Sequence, residues 1–305
     1  MQTTVKRAVT LVGTGLHSGR PVRLTIRPAE AGGLRFRRID VQDRDNLIQA
    51  RYDLVTDTTL CTALTNAAGV SISTVEHIMA ALAGLGVHNA VIEVDGPEVP
   101  IMDGSAQRFV AAIMRAGLRR LPAPVEAIRI IAPVLDERDG VVTMLSPSER
   151  FTVSFEIEFA DAAIGRQSRG LDMAGGTFVR ELADCRTFCR RADVEAMQAR
   201  GLALGGSLDN AIVVDGSAVL NPGGFRRADE CVRHKMLDAV GDLALAGAPI
   251  LGAYRGVRAG HGATNRLLRR LMATEGAWER VTIDATAACA LPGLGGGFVD
   301  LRRAG

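Results

Sequence analysis

Apolar and polar positions alternate in two early runs, AVTLVG (8–13) and PVRLTIRP (21–28), with the turn GTGLHSG (13–19) between them. A period of two predicts a β-hairpin. The turn lacks the last glycine of GxGxxG and leads into a strand, so a dinucleotide-binding loop is set aside. His17, at its tip, is expected to be accessible. STVEHIMAALAGLG (73–86) has helical periodicity with Ser73 or Thr74 as cap, and NAVIEV (89–94) reads as the strand that follows. MDGSAQRFVAAIMRAGL (102–118) predicts a second helix, capped by Ser105 and ending near RRLPAP (119–124). The prolines there mark a boundary that divides the chain into units 1–123 and 124–305. Strands resume in AIRIIAPVL (127–135) and RFTVSFEIEF (150–159); later come a helix, VRHKMLDAVGDLALAG (232–247), and a strand, PILGAYRGV (249–257).

Two segments echo each other: EHIMAALAGLGVHNAVIEVDG from Glu76 and RHKMLDAVGDLALAGAPILGAYRG from Arg233. Each begins as a helix carrying His-x-Met and passes through glycine into a strand, which predicts two related α/β halves, each offering one helical histidine.

The 305 residues are 47% hydrophobic and 23% charged, an ordinary globular composition. A net charge of +2 from 36 basic and 34 acidic residues gives no reason to expect nucleic acid as a partner. Five scattered cysteines without a CxxC pair point to a reducing compartment, and Cys185 and Cys189 are expected to be small apolar residues rather than soft ligands. Neither a signal-peptide pattern nor an apolar run of membrane-spanning length is seen, so a cytoplasmic location is expected.

The late helix raises a chemical question. His234, Asp238 and Asp242 recur every fourth residue and so stack on one face, in a segment apolar nearly all round. Buried carboxylates need a cation, a donor or a proton. His234 and Asp238 fit H-x-x-x-D, a spacing at which two side chains reach one ion from successive turns. An ion pair within the helix fits the same spacing. His77 is the best third ligand, since it lies in the echoing helix after Glu76, and a carboxylate there sets a general base beside the open position of a catalytic zinc site. His261, in the glycine-rich RAGHGATN, could approach a substrate and be oriented by Asp242.

Taken together, GTGLHSGRPVRLTIRPA, LCTALTN, STVEHIMAALAGLGVHNAVIEVDGPEVPIMDGSA, RTF, GLALGGSLDNAIVVDG, DECVRHKMLDAVGDLALAG and AGHGATN resemble the UDP-3-O-acyl-N-acetylglucosamine deacetylases, zinc enzymes of lipid A biosynthesis. These strings occur in family order from near residue 10 to about 268. The resemblance implies an α+β fold of two related halves, each a mostly antiparallel sheet on a pair of helices, with the active site between them. It implies one Zn2+ on His77, His234 and Asp238, with Fe2+ as the alternative metal in the cell, and Glu76 as general base. His261 becomes the partner acid held by Asp242, Thr187 a contact to the oxyanion, and Lys235 a positive contact to a UDP-linked acylated glucosamine. Leu60, Cys61, Phe188, Val194, Gly206, Ser207 and Val213 are the implied substrate contacts. An insertion near 188–214 would carry an acyl-chain passage, with Val194, Met197, Leu202, Leu204 and Val213 as candidate lining. The implied protein is a monomer with no transmembrane segment, peripheral contact with the inner membrane being open.

Departures from the family pattern fall at Asp161 and Ala162, where His-Pro is common, and at Cys189, where RTFCRR replaces RTFGF. They touch substrate contacts and leave the metal ligands intact. Two other readings use the same residues: a non-haem Fe(II) enzyme on the His/His/Asp set, and a non-catalytic nucleotide-sugar-binding relative. Glu76 favours hydrolysis over the first, and the complete polar set speaks against the second.

Overall fold

A computed structural model describes residues 1–284 and 287–293; the end of the expected unit 124–305, residues 294–305, lies outside the described residues. The chain is α+β. The predicted hairpin forms from strands Val9–Thr14 and Pro21–Pro28 and opens a five-stranded sheet that continues through Ala90–Val94, Leu34–Arg38 and Leu47–Gln49. In that sheet only Leu34–Arg38 and Ala90–Val94 run parallel. Val22, Leu24 and Ile26 point inward while Arg23 stays exposed, as the alternation requires.

Helix α1 (Glu76–Gly84) and helix α2 (Gln107–Ala116) serve this sheet. The caps differ from the sequence expectation. Val75 precedes α1, while the Ser73 and Thr74 hydroxyls turn to the Pro97 carbonyl and Glu98, and Thr74 sits at φ 58. Ser105 does accept from the Gln107 amide at 3.2 Å, one residue ahead of the assigned cap Ala106. α2 stops early, because Gly117 leaves helical geometry and Leu118–Arg120 pairs as a strand with Thr3–Val5.

The second sheet is again mostly antiparallel. Its central strand, Ile250–Val257, pairs antiparallel with Val141–Ser146, and parallel with Glu126–Ile130 and Phe151–Glu158. Between these sheet strands and the later helices lie the short α3 (Thr177–Glu181) and a β-α-β excursion: strand Phe188–Arg190, helix α4 (Arg191–Ala199) and strand Ile212–Asp215, the two strands being parallel. Helices α5 (Glu230–Ala244) and α6 (His261–Ala273) complete the sequence of helices described.

The echo is real at the level of elements: α1 leads to strand Ala90–Val94, and α5 to strand Ile250–Val257. α1 and α5 pack directly on one another, so each offers its polar residues to the same space. Gly241 makes this approach possible. A Cβ built there would lie 2.0 Å from the Glu76 carbonyl oxygen and 3.1 Å from the Ala80 nitrogen. A glycine inside a helix costs about 1 kcal/mol relative to alanine, and here it is what the close crossing demands.

Candidate active site

Glu76 and His77 open α1, and His234, Asp238 and Asp242 descend one face of α5; all five are buried. Crossing at Gly241 brings His77, His234 and Asp238 together so that one ligand atom from each lies within 4.8 Å of the others. Asp238 Oδ1 is 3.2 Å from His234 Nε2 and 3.5 Å from His77 Nε2. Yet among the described residues this oxygen has no hydrogen-bond partner, nor does His77 Nδ1. Three buried donor groups that converge without satisfying one another fit a divalent cation.

The surroundings prepare these ligands. His234 Nδ1 lies 3.0 Å from the Cys185 carbonyl, which takes its N–H and leaves the Nε2 lone pair facing the cluster. Burial pushes His234 down to about 4, so the imidazole is neutral at ordinary pH. Burial alone would raise Asp238, but the neighbouring His234 and Lys235 hold it well below the usual carboxylate range. Lys235 Nζ donates to Asp238 Oδ2 at 2.7 Å, occupying that oxygen and turning Oδ1 to the histidines.

Two more titratable groups flank the cluster with opposite tendencies. Burial raises the Glu76 carboxyl, opposed by His261 and His77, and its Oε2 accepts the Thr62 amide at 3.0 Å. For His261 burial works to lower the value, but the adjacent Asp242 carboxylate prevails and the ring is pushed up to about 9. His261 Nδ1 lies 2.8 Å from Asp242 Oδ2, while Asp242 Oδ1 accepts the Thr62 hydroxyl at 2.6 Å. A carboxyl raised by burial near an imidazole whose protonated form is favoured is an arrangement that could act as a base and acid pair.

This polar floor lies at the base of a cavity of about 660 Å³. Glu76, His77, Thr187, His234, Lys235, Asp238 and His261 all line it, and Asp242 stands behind His261. Leu60, Cys61, Phe188, Val194, Gly206, Ser207 and Val213 line it too, as does Met197. Leu202 and Leu204 do not, and Leu204 is 58% exposed. Thr187 is held by its amide, which donates to the Gly104 carbonyl at 2.8 Å, and behind it Arg186 is paired with the fully buried Glu230.

Other expectations meet different outcomes. His17 lines the cavity, but both ring nitrogens are buried without a partner among the described residues, and its backbone amide donates to Glu98 at 2.7 Å. Cys185 and Cys189 share no helix, one preceding and one lying within the strand Phe188–Arg190. Asp161 does not itself line the cavity; it accepts from Arg190 Nε at 2.6 Å and from the Gly216 amide at 3.1 Å, tying the excursion to the sheet. Thr62 was not singled out from the sequence, although LCTALTN contained it; an isolated threonine gives no periodic or spacing signal.

Comparison with known proteins agrees with the geometry. Residues 2–273 match the family described as LpxC, UDP-3-O-acyl N-acetylglycosamine deacetylase. A protein of Phenylobacterium zucineum named UDP-3-O-acyl-N-acetylglucosamine deacetylase is 52% identical over 279 residues, covering 91% of this chain and 95% of its own. One of the same name from Pasteurella multocida is 46% identical over 286 residues, covering 93% of each chain. A third, from Anaeromyxobacter sp., is 47% identical over 288 residues, again 93% of each. With nearly its whole length matched, the chain belongs to the UDP-3-O-acyl N-acetylglycosamine deacetylase family.

Proposed function

We propose that the protein is a zinc-dependent hydrolase that removes the N-acetyl group from UDP-3-O-acyl-N-acetylglucosamine, releasing acetate, in lipid A biosynthesis. The observation that carries this reading is the convergence of His77, His234 and Asp238, with Glu76 and His261 beside them, on the floor of one cavity. Zinc held by that triad supplies Lewis acidity, which makes water a nucleophile near neutral pH and polarises the acetamide carbonyl.

Glu76 takes the proton of the attacking water as its oxygen bonds to the amide carbon. The Thr187 hydroxyl and the protonated His261 ring face the same cavity, where they meet the charge that develops on the carbonyl oxygen. His261 then gives its proton to the departing nitrogen, so the C–N bond breaks to leave acetate and a free amine. Asp242 keeps the imidazolium charged and in place until that transfer. Lys235 fixes Asp238 and adds positive charge to the wall, which suits an anionic nucleotide sugar. The walls contributed by the 188–214 excursion, Phe188, Val194, Met197 and Val213, are apolar and suit the acyl chain. Burial of each methylene there contributes about 0.8 kcal/mol.

The reading places units 1–123 and 124–305 on the two sides of the site, as α1 and α5 are. No helix among the described residues is long and apolar enough to cross a membrane. We assign the monomeric enzyme to the cytoplasm on the composition argument of its scattered cysteines. The test is acetate release from UDP-3-O-acyl-N-acetylglucosamine before and after chelation and with zinc restored. Release that vanishes and returns supports the assignment; no release from folded, metal-replete protein overturns it.

A further inference from the structure

The geometry points to Thr62 as a positioning residue that holds the catalytic base and the catalytic acid in one register. This rests on the hydrolase reading above. All three polar groups of Thr62 are engaged at the site. Its amide donates to Glu76 Oε2 at 3.0 Å, its hydroxyl donates to Asp242 Oδ1 at 2.6 Å, and its carbonyl accepts from the Val75 amide at 3.3 Å. Thr62 itself is 1% exposed.

These bonds do different things. The carbonyl contact fixes the residue against the entry to α1, where Glu76 begins the helix. The amide contact then points one carboxylate oxygen of Glu76 away from the reaction, leaving Oε1 for the water. The hydroxyl contact reaches across to α5, 180 residues on, and settles one oxygen of Asp242 so that the other meets His261 Nδ1 at 2.8 Å. Among the described residues no other donor reaches Asp242 Oδ1, so without the hydroxyl its carboxylate is free to rotate about χ2 and the imidazole loses its fixed partner. A strand preceded by a loop, not a helix, thus links base and acid: Thr62 stands immediately before strand Ala63–Thr65, in the loop that carries Leu60 and Cys61 into the cavity.

A merely structural threonine would cost stability without changing the chemical step selectively. Thr62→Val keeps the backbone contacts and the shape and removes only the hydroxyl. In zinc-loaded enzyme, kcat for acetate release is expected to fall about 10-fold with KM and zinc content within about twofold, and Thr62→Ser is expected to restore it. Because the hydroxyl acts through Asp242, the same substitution in an Asp242→Ala background should cost about twofold or less. Should Thr62→Val not fold, Thr62→Ala is carried through the same cycle. An unchanged kcat, a loss confined to KM, or an equal loss with and without Asp242 overturns the inference. Failure of the hydrolase reading is separately visible, since then the unmodified enzyme itself releases no acetate.

Discussion

Asp242 Oδ2 and His261 Nδ1 meet at 2.8 Å although the two residues sit on different helices, and this contact decides which protonation state His261 carries. Burial works against the charged ring, and the carboxylate outweighs it, raising the ring to about 9. An acid catalyst works below its pKa, so turnover is expected to fall as pH rises through that region. Asp242→Asn removes the charge that raises the ring while burial remains, so the alkaline limb of kcat against pH should move down by about one unit or more. A limb that stays in place would assign it to another group.

Glu76 has the opposite requirement. Its carboxyl is raised by burial and must be ionised to accept a proton, so activity should appear as pH climbs through a value above that of an ordinary glutamate. Glu76→Gln preserves size and leaves the triad untouched, and is expected to lower kcat by about 10²- to 10⁴-fold with metal content unchanged. Metal analysis beside steady-state kinetics checks both halves of that statement.

The triad behaves in the reverse way. On the proposed reading His234→Ala removes one of three candidate ligands, so zinc content and activity should fall together, and added zinc should recover part of both. A variant that retains stoichiometric zinc would place the ion elsewhere.

Gly241→Ala tests the helix crossing. The added methyl meets the Glu76 carbonyl at 2.0 Å, a backbone atom that cannot swing aside. Overpacking of this kind costs about 1–3 kcal/mol or more, against a gain of about 1 kcal/mol in helix propensity. A net drop in the thermal midpoint is expected, together with weaker metal retention, because α1 carries one of the three candidate ligands and α5 two.

For the acyl chain, Met197→Trp narrows the apolar wall of the cavity. It should reduce kcat/KM for long-chain substrates by about 10-fold or more and leave a short-chain analogue within about threefold. Equal loss on both would place the chain along a different wall.

Much of this site was legible because helices impose a spacing. His234, Asp238 and Asp242 at every fourth residue announce a polar stripe in a buried helix, and Glu76-His77 at the head of an echoing helix supplies its counterpart. Strand alternation was equally plain in PVRLTIRP and FTVSFEIE, whose inward residues are the apolar ones. Contacts between distant loops carry no such period. Thr62 and Glu98 each make several hydrogen bonds with separate segments, Thr62 with α1 and α5 and Glu98 with the His17 turn and Thr74, and neither is distinguishable in sequence from an ordinary polar residue. The cap of α1 differs from the sequence expectation for a related reason: the Ser73 and Thr74 hydroxyls bond to Pro97 and Glu98 rather than to the helix they precede. Asp161 braces the fold through Arg190 and Gly216, a role that no local signal contains.

Helix α4 buries none of its residues completely, whereas α1 and α5 are buried along almost their whole length. The helix that gives Val194 and Met197 to the apolar wall therefore stands outside the framework that aligns the polar floor, while the strand after it is anchored in the core through Ile212 and Val214. A lineage can revise the gauge that measures the fatty chain, one substitution at a time, while the machinery that cuts the amide stays as it is.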